Sequence, residues 1–182
     1  MECNILKNKT INDKDFLGTM IAHHQVAIDM SKMINKLSTN DTILGFARNI
    51  IFNQTKEIYF MKTLYNETEC SLTKENTINK PLQNTFKSEY PSIFENLQCD
   101  ESHFKFNHHN NHNIDDSQYV KHMISHHNTA LELSKLVIVS TKNSQILTLA
   151  QIIHLDQSKE IFELYFLEKS LKSHWRNLCK PF

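Results

Sequence analysis

A phrase that occurs twice constrains this chain more than any other feature: Met20-Ile21-Ala22-His23-His24 and Met123-Ile124-Ser125-His126-His127. An offset of 103 relates His23 to His126, and the same offset relates Gln54-x-x-Glu57-Ile58 to Gln157-x-x-Glu160-Ile161. Two units of about 50 residues align without a gap, and about a third of their positions are identical. Units that small do not bury a sizeable core alone, so in 182 residues the copies form one domain or share a core. The duplicated residues are where chemistry is sought.

The periodicity of each copy is helical. In the first, the apolar and special positions run Phe16, Met20, His23, Ala27, Met30, Ile34, Leu37, alternating steps of four and three, a heptad seam that packs one helix along another. Thr10-x-x-Asp13 is placed to cap it. Ser38-Thr39-Asn40-Asp41-Thr42 is short enough only for a tight reversal. A second seam follows: Ile43, Ala47, Ile50, Gln54, Glu57, Met61, Leu64. The other copy repeats the scheme after a cap at Asp115-Asp116-Ser117, with Tyr119, Met123, His126, Ala130, Leu133, Val137, then Ile146, Ala150, Ile153, Gln157, Glu160, Leu164, Leu167. Its last helix is expected to fray near Lys172. Only two glycines and three prolines occur, which disfavours turn-rich β architectures. The division is 13–66 for one helical hairpin, 67–115 for a long polar connection with a short helix over 82–97, and 116–172 for the second hairpin.

Layers follow from counting. His23 lies 14 residues before Leu37, and Glu57 lies 14 after Ile43. At a rise of about 1.5 Å per residue both stand about 21 Å from the turn and face each other. By the same count Met20 faces Met61, Ala27 faces Gln54, His126 faces Glu160 and Met123 faces Leu164. Two such hairpins give an all-α, up-down-up-down four-helix bundle. Its central layer holds His23, Glu57, His126 and Glu160, the adjoining layer holds Met20, Met61 and Met123, and His24 and His127 point off the seam. Imidazole and carboxylate donors suit Zn(II), Fe(II) or Cu(II), and the thioethers favour Cu(I). A competing reading makes each His–Glu pair a buried ion pair that fixes helix register and binds nothing. Gln54 and Gln157 are read as donors to the layer or as buried hydrogen-bond links. Met30 and Met33 become Leu133 and Leu136 in the second copy, a sign of ordinary core packing. The tract His108-His109-Asn110-Asn111-His112 is a weaker chelating signal.

Other classes find little support. Twenty basic and twenty acidic residues cancel, which removes the electrostatic argument for nucleic acid or an anionic membrane. No apolar run reaches the length of a spanning helix, and the first residues lack a signal-peptide core, so a cytoplasmic location is the default expectation. Cys3, Cys70, Cys99 and Cys179 lie outside the aligned units, as two disulfides in one of three pairings or as free thiols. No nucleophile–base pair, phosphate-binding glycine loop or nucleotide motif occurs, so an enzymatic reading has little to stand on. The Glu-x-x-His pair of di-iron bundles is absent as well.

The stretches "MIAHHQVAIDM" and "ILGFARNIIFNQTKEIYFM" resemble domain-of-unknown-function family 305. That family carries Met-x-x-His-His-x-x-Ala-x-x-Met on one helix and Gln-x-x-Glu-Ile-x-x-Met on the next, and here the pattern occurs twice. The resemblance implies a ferritin-like bundle and metal handling, because some members bind copper through Met and His. By position it implies Met20, His23, His24, Met30, Glu57 and Met61, then Met123, His126, His127 and Glu160. Leu133 and Leu164 stand where the pattern has methionine. The expectation is a monomer or homodimer that binds or sequesters copper, with zinc or iron as alternatives.

Overall fold

Each helix begins where a short polar side chain captures the free N–H groups of a first turn. Asn12 accepts from the Asp15 amide at 2.8 Å and so caps α1 (Asp13–Leu37), in place of the cap expected from Thr10 and Asp13. Asp115 caps the third helix by accepting from the Gln118 amide while Gln118 reaches back, a full capping box. The hairpin turns are duplicated too. Asn40 accepts from the Thr42 and Ile43 amides at the head of α2 (Asp41–Thr73). Asn143 does the same for Gln145 and Ile146, joining α3 (Asp116–Ser140) to α4 (Ser144–Leu178).

The structure, a computed structural model, describes residues 11–73 and 114–178, with side chains over 11–68 and 114–172. Cys3, Cys99, Cys179, the side chain of Cys70, the 108–112 histidine tract and the helix expected over 82–97 lie outside the described residues. All described secondary structure is helical. Among the described residues no helix is long and apolar enough to cross a membrane.

α1 packs along α2 and α3 along α4, α1 and α3 meet across the middle, and α2 and α4 touch at only a few positions. The expected four-helix bundle of two hairpins is therefore present, with one correction to its directions. Ser140 Oγ donates to the Ile11 carbonyl at 3.2 Å, and Ser31 Oγ lies 2.9 Å from the Tyr119 hydroxyl, so α3 runs antiparallel to α1. The helices run up-down-down-up, and a pseudo-two-fold axis across the bundle relates the hairpins. Seam periodicity is the same for either direction, which is why counting along one hairpin did not fix the other.

That axis divides the apolar interior in two. One cluster joins Phe16, Met20, Met61 and Leu64 to Leu133, Val137 and Ile146, while the other joins Met30, Ile34 and Ile50 to Tyr119, Met123 and Leu164. Met20, Met61 and Met123 are all fully buried. They do not share a layer: Met20 and Met61 lie in one cluster and Met123 in the other. The antiparallel α3 carries Met123 to the opposite side of the histidines.

Candidate functional site

Between the two cores lies a buried polar layer of His23, His24, Gln54, His126, His127, Gln157 and Glu160, each 9% exposed or less. α1 and α3 each bring two adjacent histidines. Neighbouring positions on a helix are separated by about 100°, so the two rings of a pair point to different partners.

His23 and His126 meet at the axis. Their rings stack with centroids 3.5 Å apart and planes inclined by 27°. His23 Nε2–H donates to the His126 carbonyl at 3.0 Å, a tautomer that places the ring's lone pair on Nδ1. The reciprocal approach of the His126 ring to the His23 carbonyl contributes electrostatically but falls outside hydrogen-bond geometry. Burial pushes the His23 pKa well below its ordinary range, His24 and His127 push it further, and the His126 carbonyl opposes. Burial does the same to His126, followed by His23, His127 and His24. Both central rings are neutral imidazoles.

The carboxylates contact the other member of each pair. His24 Nε2 donates to Glu57 Oε2 at 2.6 Å, and His127 Nε2 lies 2.9 Å from Glu160 Oε2. The expected pairing of His23 with Glu57 and His126 with Glu160 is thus displaced by one residue. Counting from the turn locates a layer, but neighbouring residues differ by only about 1.5 Å in height. Rotation decides the contact, and the turn of α1 aims His24 at α2. His24 and His127, expected off the seam toward the neighbouring helix or the bundle surface, are fully buried against the neighbouring helix.

The link expected of the glutamines forms in the second copy only, and the serines add contacts that were not expected. Gln157 Nε2 donates to Glu160 Oε2 at 3.2 Å, which gives the second carboxylate a support that Gln54 does not give Glu57. The duplicated serines differ: Ser31 meets the Tyr119 hydroxyl, while Ser134 meets His154 Nδ1 at 3.0 Å. Tyr119 replaces Phe16, so alignment of the copies marks the position without showing its partner. Burial raises the Tyr119 pKa, the Ser31 bond opposes, and Glu160 adds to the rise.

Several imidazole nitrogens in this layer are buried with no hydrogen-bond partner: Nδ1 of His24, Nδ1 of His127 and both nitrogens of His126. Among the described residues no group of three or more His, Cys, Asp or Glu side chains stands arranged around a metal position.

The sequence pattern of the family described as Domain of unknown function (DUF305) matches residues 8–110 and 116–176. An uncharacterized protein of Acanthamoeba polyphaga mimivirus is 43% identical over 57 residues, 31% of this chain and 38% of that protein's length. Solved structures share the fold at lower identity. CopM in its Ag-bound form superposes with a TM-score of 0.62 at 23% identity, covering 94% of this chain and 100% of that one. Its Cu(I)-bound form gives 0.61 at 22%, with the same coverage. A DUF305 fragment from Deinococcus radiodurans gives 0.58 at 15%, covering 88% and 98%. With both halves matched and the bundle shared, the chain belongs to the DUF305 family, as a tandem pair of its helical hairpins.

Proposed function

We propose that this chain binds a transition-metal ion, copper first and zinc second, in the polar layer between its two apolar cores. The role is binding, buffering or sequestration. One observation carries the reading: three of the four buried imidazoles turn Nε2 toward an oxygen, His23 to the His126 carbonyl, His24 to Glu57 and His127 to Glu160. His24 is the clearest case, with Nε2 on the Glu57 carboxylate and Nδ1 buried without a partner. A carboxylate or carbonyl on one ring nitrogen is what fixes a histidine for metal binding through the other. Burying unpartnered ring nitrogens costs stability unless something completes them.

The donor set fits a soft ion. His23 and His126 are held neutral by burial, the form that ligates. Met20 and Met61 on one side and Met123 on the other offer thioethers, which select Cu(I). In this reading Glu57 and Glu160 orient His24 and His127 and are not themselves the first donors. The stacked rings of His23 and His126 must turn for their nitrogens to converge. Copper and silver in the CopM structures support the choice of metal, on the shared fold alone.

A second reading rests on the His24–Glu57 and His127–Glu160 contacts, which suit an ion-pair network that sets helix register. It leaves the His23–His126 stack unexplained. Elemental analysis after loading with Cu(I), Cu(II) or Zn(II) and desalting separates the two, run beside a folded His23→Ala/His126→Ala variant. Near-stoichiometric metal lost in the variant supports the buried site. Metal kept by the variant moves binding to the 108–112 tract, and no metal in either leaves the ion-pair network.

A further inference from the structure

Glu57 and Glu160 belong to two environments at once. Their side chains are 13% and 12% exposed, while the histidines behind them are fully buried. Both carboxylates line a cleft of about 290 Å³ between α2 and α4, the edge along which the bundle helices barely meet. Asp156 and Glu163 line it as well, with Lys56 and Lys159 the cations among its described walls, so four carboxylates face two ammonium groups there. Burial raises the Asp156 pKa, and Glu57 and then Glu160 raise it further, so acids from two helices share one field. The same opening thus reaches both halves of the duplicated layer.

Polar atoms without partners lie directly behind this floor. Nδ1 of His127, on the ring whose Nε2 contacts Glu160 Oε2 at 2.9 Å, and the Gln157 amide oxygen, on the residue that donates to Glu160, have no hydrogen-bond partner. Both side chains are at least 99% buried. A cation arriving at Glu160 therefore meets further acceptors immediately inside.

We propose that the α2–α4 cleft is the port through which a metal cation reaches the buried imidazoles. Asp156 and Glu163 draw the ion in, and Glu57 and Glu160 pass it to His24 and His127. This rests on the metal-binding reading above and adds its route. Carboxylate oxygens are hard donors that hold a soft ion weakly, whereas imidazole and thioether hold it well, so transfer runs inward. A cleft of one net sign also raises the local cation concentration, an effect worth 10 to 1000-fold in on-rate that salt screens away.

The test is stopped-flow uptake of Ag(I), a redox-inert soft cation, by the full-length protein in nitrate buffer at low and high ionic strength. Asp156→Asn/Glu163→Gln is expected to slow uptake about tenfold at low ionic strength and to flatten its salt dependence. Asn53→Trp, which narrows the mouth without changing charge, is expected to slow uptake at both ionic strengths. Lys56→Gln/Lys159→Gln is expected to speed it. Uptake by the wild type that is lost in His23→Ala/His126→Ala, yet proceeds at one rate in every cleft variant, overturns the port alone. No uptake by the wild type overturns the port together with the metal-binding reading.

Discussion

His23 and His126 stack at the pseudo-two-fold axis with ring centroids 3.5 Å apart, joining the repeated motifs of the two copies. Burial and the neighbouring imidazoles hold both rings well below their ordinary pKa of 6.5. Below that pH the unfolded chain therefore binds up to two more protons than the folded one. Stability from this pair is complete above about pH 6.5 and falls as pH drops toward the folded values. Two protons give a slope approaching about 2.7 kcal/mol per pH unit. Urea unfolding of metal-free protein between pH 7.5 and 5 should show a steep loss in the wild type. His23→Gln/His126→Gln should remove that steepness, since the remaining titrations are common to both. Parallel profiles would mean the rings are not neutral in the folded state.

Ser31 and Tyr119 carry a polar link from α1 to α3 inside an apolar cluster. Tyr119→Phe restores the side chain of the first copy, Phe16, but leaves the Ser31 hydroxyl without its partner. The expected loss is about 1 kcal/mol, with Ser31→Ala similar and the double variant less than additive. A double-mutant cycle from urea midpoints measures the coupling, and additive losses would show that the 2.9 Å contact contributes nothing.

Much of this architecture is legible in the residues themselves. The four-and-three steps from Phe16 to Leu37 and from Ile43 to Leu64 locate the helices, because buried side chains must recur on one face. The Asn40 and Asn143 turns are legible for the same local reason. Rotation about a helix axis is not. His23 lies on the seam and His24 one step off it, yet it is His24 that meets Glu57 while His23 meets His126, and only packing decides which. The direction of the second hairpin is equally hidden, since a seam reads alike both ways. That ambiguity misplaced Met123, which shares neither cluster nor side with Met20. The Ser31–Tyr119 bond and the α2–α4 cleft depend on contacts between copies, where periodicity within one copy is silent.

The two carboxylates should not be equivalent. Removing Glu57 leaves His24 buried beside no acceptor, whereas Glu160 also anchors Gln157. In metal-free protein Glu57→Ala is expected to cost about 3 kcal/mol, the size of loss seen when one member of a buried pair is deleted. Glu160→Ala should cost more, because it frees the Gln157 amide as well. Urea midpoints at neutral pH decide the order. Equal and small losses would show that neither carboxylate holds its histidine.

The unequal thioether sets predict a gain of function. Leu164 packs in the same apolar cluster as Met123, and it occupies the position that Met61 holds in the first copy. Leu164→Met is nearly volume-conserving and should cost less than about 1.5 kcal/mol of stability. It would place a second thioether beside Met123 within a turn of the histidine positions, as Met20 and Met61 stand on the other side, whereas Met30 of the same cluster lies two turns from His23. If copper binds in this layer as Cu(I), affinity in a chelator competition should rise about tenfold, while Zn(II) affinity stays unchanged because thioethers discriminate by softness. Unchanged Cu(I) affinity in a folded variant would remove the methionines from the site and leave the imidazoles to bind alone.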